Sequence, residues 1–218
     1  MKINKIVALG LVLAMVFGLT GCEFIGRLFA VEFGGDITSD TTTKAGIYTV
    51  TSGFTVSAKW TIEPGTTFIM DPDTDINVDE SGLIIALGTA AKPITFTSSK
   101  SVPAKGDWYG IDDDGNGSKY VYCVIEHADK GLELDGSLYT VQNSTFNANT
   151  LGLDIGDALS MTALSSNIFT SNDDPMLINS NYNIDDTNTF TGNTNQSISH
   201  DGDVNVARTW SEIGRAHV

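Results

Sequence analysis

The sequence predicts an all-β chain wound as a right-handed parallel β-helix, a solenoid of about seven to eight coils. Three observations lead there. From about Ala45 the chain is a succession of short β-prone runs separated by Gly, Asn, Asp and Pro, with no amphipathic helical period longer than ten residues. Apolar anchors recur at Ile125, Phe146, Phe169 and Phe190, at intervals of 21, 23 and 21 residues. Asparagines at 167 and 188 precede two of those anchors at the same offset.

Each anchor is followed by a polar turn, such as Asn147-Ala148-Asn149, Thr170-Ser171-Asn172-Asp173 or Thr191-Gly192-Asn193. A second short strand comes next: Leu132 to Leu134, Leu151 to Ile155, Met176 to Ile178 and Ser197 to Ser199. A unit this short cannot bury its own apolar face and must stack on its neighbours. A sandwich of antiparallel hairpins is the competing arrangement, but hairpins favour two-residue Asn-Gly or Asp-Gly turns. Recurrence of like side chains at equal phase favours parallel stacking. Phe146, Phe169 and Phe190 should then lie above one another at ~4.8 Å per coil, and Asn167 and Asn188 should extend the stack through amide hydrogen bonds.

The N-terminus reads as an export signal. Lys2 and Lys5 precede an apolar run from Ile6 to Phe17, too short to span a hydrocarbon core of ~30 Å as a helix. Leu19-Thr20-Gly21-Cys22 follows and resembles the bacterial lipobox. The resemblance implies cleavage before Cys22 and acylation of its thiol. Because each buried methylene contributes ~0.8 kcal/mol, two or three acyl chains would hold the protein durably on a membrane. The expected location is extracytoplasmic and membrane-anchored, with the outer membrane or cell surface favoured over the inner membrane.

Formal charge is −15, and removal of Lys2 and Lys5 with the signal leaves −17. Such a field argues against nucleic acid as a partner and repels acidic headgroups and polyanionic glycans unless a divalent cation bridges them. Cys22 and Cys123 are the two cysteines, so a lipidated Cys22 leaves no intramolecular disulfide. Cys123 lies in the alternating run Tyr120 to Ile125 and is expected to be a buried structural thiol.

Several stretches resemble exported β-helix proteins of the pectate-lyase-like superfamily. They are Thr61-Ile62-Glu63-Pro64-Gly65-Thr66-Thr67, Gly82 to Thr89, Lys92-Pro93-Ile94-Thr95-Phe96-Thr97-Ser98, Gly106-Asp107-Trp108-Tyr109-Gly110-Ile111 and Tyr120 to Ala128. The resemblance covers roughly residues 46 to 206 and concerns the fold, with no specific enzyme family. Pro64-Gly65 supplies a tight turn, Gly82 and Gly88 let the chain bend where a Cβ would clash, and Pro93 opens a strand without needing an N–H.

Chemistry is sparser. Three acidic groups stand out: Asp71, Asp73 and Asp75; Asp112, Asp113 and Asp114 with Asn116; and Asp173-Asp174 with Asp185-Asp186. Hard oxygen ligands suit Ca²⁺, and the middle group is the best candidate because the Gly-rich loop Asp112 to Gly117 can converge several carboxylates. It lacks the spaced pattern and distal Glu of an EF-hand loop, and solvated turns are the ordinary explanation for all three groups. Lyases on this fold use Ca²⁺ with a basic residue and related hydrolases use grouped aspartates, but Lys and Arg are scattered here. His200-Asp201-Gly202 is only faintly similar to the hydrolases' pair, and Arg208-Thr209-Trp210 stands where they carry Arg-x-Lys. Strand alternation predicts that Glu126 and His127 point to opposite faces. Trp60, Trp108 and Tyr109 could stack on sugar rings, though Trp108 belongs to the fold motif.

The tail Ile213-Gly214-Arg215-Ala216-His217-Val218 back-translates to a common sequencing-adapter start, so the natural frame is expected to continue beyond about Ser211 and the solenoid to be C-terminally truncated. The resulting division is a signal peptide at 1–21, lipidated Cys22 with a tether or cap at 22–44, the β-helix at 45–211 and the artefactual tail at 212–218. Within 22–44, the apolar piece Phe24 to Phe33 is expected to cap the solenoid as a helix or edge strand, and Gly35 to Lys44 to be a flexible tether. The expected role is a non-catalytic binding, adhesion or structural module of the cell envelope, recognising glycan or another envelope protein and requiring no cofactor beyond a possible Ca²⁺. The alternative is the N-terminal part of a polysaccharide lyase or glycoside hydrolase.

Overall fold

The computed structural model describes residues 30–158, 160–179, 182, 184 and 186–201; the signal peptide, Cys22, Asp185, Arg208 and the tail lie outside them. Among the described residues the regular structure is all strand, and no helix is long and apolar enough to cross a membrane.

The strands form three parallel sheets. Sheet A stacks Val31–Phe33, Ile47–Val50, Thr67–Met70, Ile94–Ser98, Cys123–Glu126, Thr145–Asn147, Ile168–Thr170 and Thr189–Thr191 in that spatial order. Sheet B stacks Phe54–Val56, Asp75–Val78, Trp108–Asp113, Ala128–Leu134, Leu151–Ile155, Asp174–Asn179 and Ser199–Asp201. Sheet C stacks Thr41–Thr43, Lys59–Ile62, Leu83–Leu87, Lys119–Val121, Tyr139–Gln142 and Met161–Ser165. The chain passes from A to B to C and returns to A one coil further on, making a parallel β-solenoid of about seven turns. Spatial order equals sequence order because every coil can bury its apolar side chains only against the coils directly before and after it.

The expected column is present, and it is longer than the repeat suggested. Register places Tyr48, Phe68, Phe96, Ile125, Phe146, Phe169 and Phe190 directly above one another in sheet A. Phe146 and Phe169 stack with ring centroids 4.9 Å apart and planes 4° apart, and Phe169 and Phe190 at 5.0 Å and 8°. Phe68 and Phe96 form a second stack at 5.1 Å and 12°. Ile125 separates the two stacks.

Asparagines run beside the rings in two ladders. The expected one carries the Asn167 amide to Asn188 Oδ1 at 3.0 Å, while the Ser144 N–H donates to Asn167 Oδ1 at 3.0 Å. A second ladder of Asn149, Asn172 and Asn193 closes the turn from sheet A to sheet B. Its side-chain oxygens accept the backbone N–H of Ala128, Asn149 and Asn172 at 2.9, 2.9 and 3.0 Å. These buried backbone groups face a corner with no strand partner, so the amides supply the hydrogen bonds that the ladder of a sheet would otherwise provide.

Three expectations need correction. Gly35 to Lys44 is no tether: Ile37 bridges Val56, and Thr41–Thr43 pairs with Lys59–Ile62 in the first coil. Polar β-branched threonines read as linker in isolation, but Thr43 is buried and accepts the Trp60 indole N–H at 2.8 Å. Val31–Phe33 is an edge strand of sheet A, so the solenoid begins before residue 45; the rest of the expected cap, residues 24–29, lies outside the described residues. Each full coil also carries a third strand, in sheet C, that a two-strand repeat omitted. Finally, Glu126 and His127 do not diverge. His127 leaves the strand in a left-handed turn (φ 66°), which suspends alternation; its Nδ1 lies 3.9 Å from Glu126 Oε1, and Thr97 Oγ1 donates to that oxygen at 2.8 Å.

The glycine expectation holds where the chain bends. A Cβ on Gly82 would fall 2.1 Å from Val56 O, and one on Gly88 2.5 Å from Tyr122 O. Both contacts are with backbone that cannot yield.

Candidate functional site: the acidic face of sheet B

Alternation in sheet B sends Ile111, Asp113, Leu132 and Leu134 inward and Asp112 and Glu133 outward. Parallel register then sets Asn77, Asp112, Glu133 and Asp154 in one outward column. Three carboxylates spaced by ~4.8 Å repel one another. One cation relieves part of this: Lys130 binds Glu133 and lies 3.3 Å from Asp154. Burial opposes the charge on Lys130, yet its hydrogen bond to Glu133 and the nearby carboxylates raise its pKa overall.

At the end of the strands the column widens into a cluster. Carboxylate oxygens of Asp112, Asp114 and Asp135 all lie within 4.8 Å of one another. Asp112 Oδ1 is a buried oxygen with no hydrogen-bond partner. Burial raises the Asp112 pKa, and Glu133, Asp114 and Asp75 add to the rise against Lys130. Burial likewise pushes Asp135 up to about 6, helped by Glu133, Asp112, Asp114 and Asp157. A hard divalent cation bound by oxygen ligands would neutralise this repulsion, and Asp112, Asp114 and Asp135 are the residues placed to hold one.

The four residues singled out from sequence are thus divided. Asp112 and Asp114 converge; Asp113 and Asn116 do not join them. Asp113 alternates into the core, fully buried, where Tyr120 Oη donates to its Oδ2 at 2.7 Å and the Gly115 N–H to its Oδ1 at 2.9 Å. Asn116 faces the next corner, where its Oδ1 accepts from Ser137 Oγ. Asp135, contributed by the following coil, was missed because it stands 21 residues after Asp114 in sequence. The coil period itself could have found it.

The comparisons with known proteins address the fold. The family model described as pectate-lyase like beta helix domain matches residues 35–121. Residues 35–121 are thus similar to that domain, and the three parallel sheets carry the same kind of solenoid on to the last described strand. No curated protein and no solved structure matches the chain. The family model covers the first coils of this β-helix and ends inside sheet C, before the Phe146 stack and most of the asparagine ladders.

Other candidate residues of the β-helix are structural. Trp60 and Trp108 are fully buried, so neither offers a face to a sugar, whereas Tyr109 is exposed. Cys123 is buried and its thiol is pushed up to about 12 by that burial, as its alternating run predicts for a structural thiol. Asp173 is held below the usual carboxylate range by Lys105, whose Nζ donates to it at 2.7 Å, and by Thr194. The side chains of His200 and Asp201 lie outside the described set.

Asp113 sets a pH dependence. Burial raises its pKa to about 6, outweighing hydrogen bonds from Tyr120, Ser118 and Gly115. A carboxyl whose folded pKa exceeds its unfolded value of about 3.8 binds its proton more tightly when folded. Stability from this group is therefore fully present below pH ~4, falls between pH ~4 and ~6, and stays low above. Asp113→Asn should remove a pH-dependent loss of about 2–3 kcal/mol across that window. Urea denaturation from pH 4 to 7 checks this: a wild-type profile unchanged by the substitution would assign the slope to other groups.

Proposed function

We propose that the protein is an exported lipoprotein, acylated at Cys22, whose acidic sheet-B face serves non-catalytic binding or adhesion at the cell envelope. The observation that carries this reading is the outward column of Asp112, Glu133 and Asp154 with the convergent Asp112, Asp114 and Asp135. A fold gains nothing from assembling like charges with a buried oxygen left unpartnered, since the repulsion and desolvation both oppose folding. A surface that recruits a divalent cation, and through it an anionic glycan or envelope protein, would offset that cost when occupied. Lys130, the cation beside this column, is held by Glu133 and Asp154 and its pKa is raised, so it is kept charged; this supports binding over lyase chemistry, which needs a free base.

The anchor rests on Leu19-Thr20-Gly21-Cys22 and its preceding apolar run. Cys22→Ser should move the protein from the membrane fraction to the soluble fraction and abolish incorporation of labelled fatty acid. For the face, calorimetry of the purified chain with CaCl₂ should give saturable heat, reduced at least tenfold in affinity by Asp112→Asn with Asp135→Asn, since each removes a charged ligand. No heat at millimolar Ca²⁺ would sink the cation reading.

A further inference from the structure

Sheet A turns outward a surface of different chemistry. Residues flanking the inward rings alternate out, and register aligns them into two columns. One column contains Thr67, Thr95, Thr145 and Thr189, with Val124 and Ile168 between them; the other runs Ile69, Thr97, Glu126, Asn147, Thr170 and Thr191, with Ile69 covered. From Ile47 to Thr191 the two columns hold one charged residue, Glu126, on a chain of net charge −15. No aromatic residue stands in either column.

The array is regular because the core beneath it is. Rings stacked at 4.9 and 5.0 Å with planes within 8° fix Thr145–Asn147, Ile168–Thr170 and Thr189–Thr191 in register with one another. Outward positions therefore repeat at ~4.8 Å across strands and ~6.6 Å along them. Thr, Val and Ile are β-branched and stiff at χ1, so methyls and hydroxyls keep their places. Thr97 donates to Glu126 Oε1 at 2.8 Å; the hydroxyls of Thr95, Thr145, Thr170 and Thr191 take no partner among the described residues.

We propose that this face binds ice. A regular lattice of hydroxyl and methyl groups, interrupted by the Glu126 carboxylate and the Asn147 amide bonded to it, suits a ligand that is itself uncharged and periodic. Crystalline water meets both conditions: hydroxyls continue its hydrogen-bonded net and methyls enter its surface hollows. A polysaccharide is the weaker match, because sugar rings favour aromatic platforms and these columns offer none. The proposal is independent of the acidic face, which lies on another sheet.

The test is partition into slowly grown polycrystalline ice, using the full-length chain with Cys22→Ser to avoid detergent. The protein should be severalfold enriched in the ice over a soluble control protein. Thr145→Lys with Thr170→Lys should return it to the control level while circular dichroism and Tm show a retained fold; Thr191→Lys, at the outermost described strand of the sheet, gives a second and gentler variant. Asp112→Asn with Asp135→Asn should leave partition unchanged. Exclusion of the parent chain from ice, or lysine variants that partition as the parent does, would overturn the proposal.

Discussion

Phe169→Ala is expected to destabilise the solenoid by about 3–5 kcal/mol, the range for emptying a buried aromatic site. Its ring is fully buried and lies between Phe146 and Phe190, so truncation removes two stacking contacts and leaves a hole facing both adjacent coils. Loss of stacking alone accounts for about 0.5–1.5 kcal/mol per pair. Phe169→Leu should recover most of the burial and cost roughly half as much, because it fills volume but cannot stack. Urea denaturation followed by circular dichroism distinguishes the two. Equal losses would mean that ring stacking, not filled volume, holds the column.

The second large effect is expected at Asn172. Its Oδ1 accepts the Asn149 backbone N–H at 2.9 Å, and its Nδ2 donates to Phe146 O at 3.0 Å and to Asn193 Oδ1 at 3.0 Å. All of these groups are buried. Asn172→Leu, though close in volume, strands a backbone N–H and a backbone carbonyl in the core, each at about 1–3 kcal/mol. A total loss of about 3–5 kcal/mol should follow. Asn172→Asp is the informative partner: it keeps the acceptor for Asn149 but loses the donor to Phe146 and buries a charge, so its penalty should lessen as pH is lowered and the carboxyl protonates. Chemical denaturation of the three proteins at pH 4 and 7 checks both statements.

Much of this architecture was legible where coil length was constant. Ile125, Phe146, Phe169 and Phe190 could be aligned because 21 to 23 residues separate them. Phe68 and Phe96 belong to the same column but stand 28 residues apart, and Phe96 and Ile125 stand 29 apart. The loops at 88–93 and 99–106 lengthen those coils and hide the phase. The Asn149, Asn172 and Asn193 ladder recurs at a fixed three residues after each phenylalanine, yet it was read as polar turn because solvated corners use the same residues. Sheet C escaped notice because strands such as Met161–Ser165 carry weak apolar contrast. Within the acidic site, Asp112 and Asp114 were legible from composition; separating Asp113 from them needed the inward face of the strand, and Asp135 needed the stacking of consecutive coils.

The unequal spacing in the Phe68, Phe96, Ile125 and Phe146 column has an engineering consequence. Extra chain leaves the solenoid at its corners and rejoins without disturbing alignment on either side, as Ile94–Ser98 and Cys123–Glu126 pair in unbroken register despite the loop between them. Foreign peptides grafted at 99–106 should therefore be displayed without altering the periodic surfaces, whereas a single residue inserted within a strand would shift every side chain beyond it to the opposite face. Length is free at the vertices and, outside the register shifts at Gly110/Ile111 and Tyr139/Thr140, fixed along the edges.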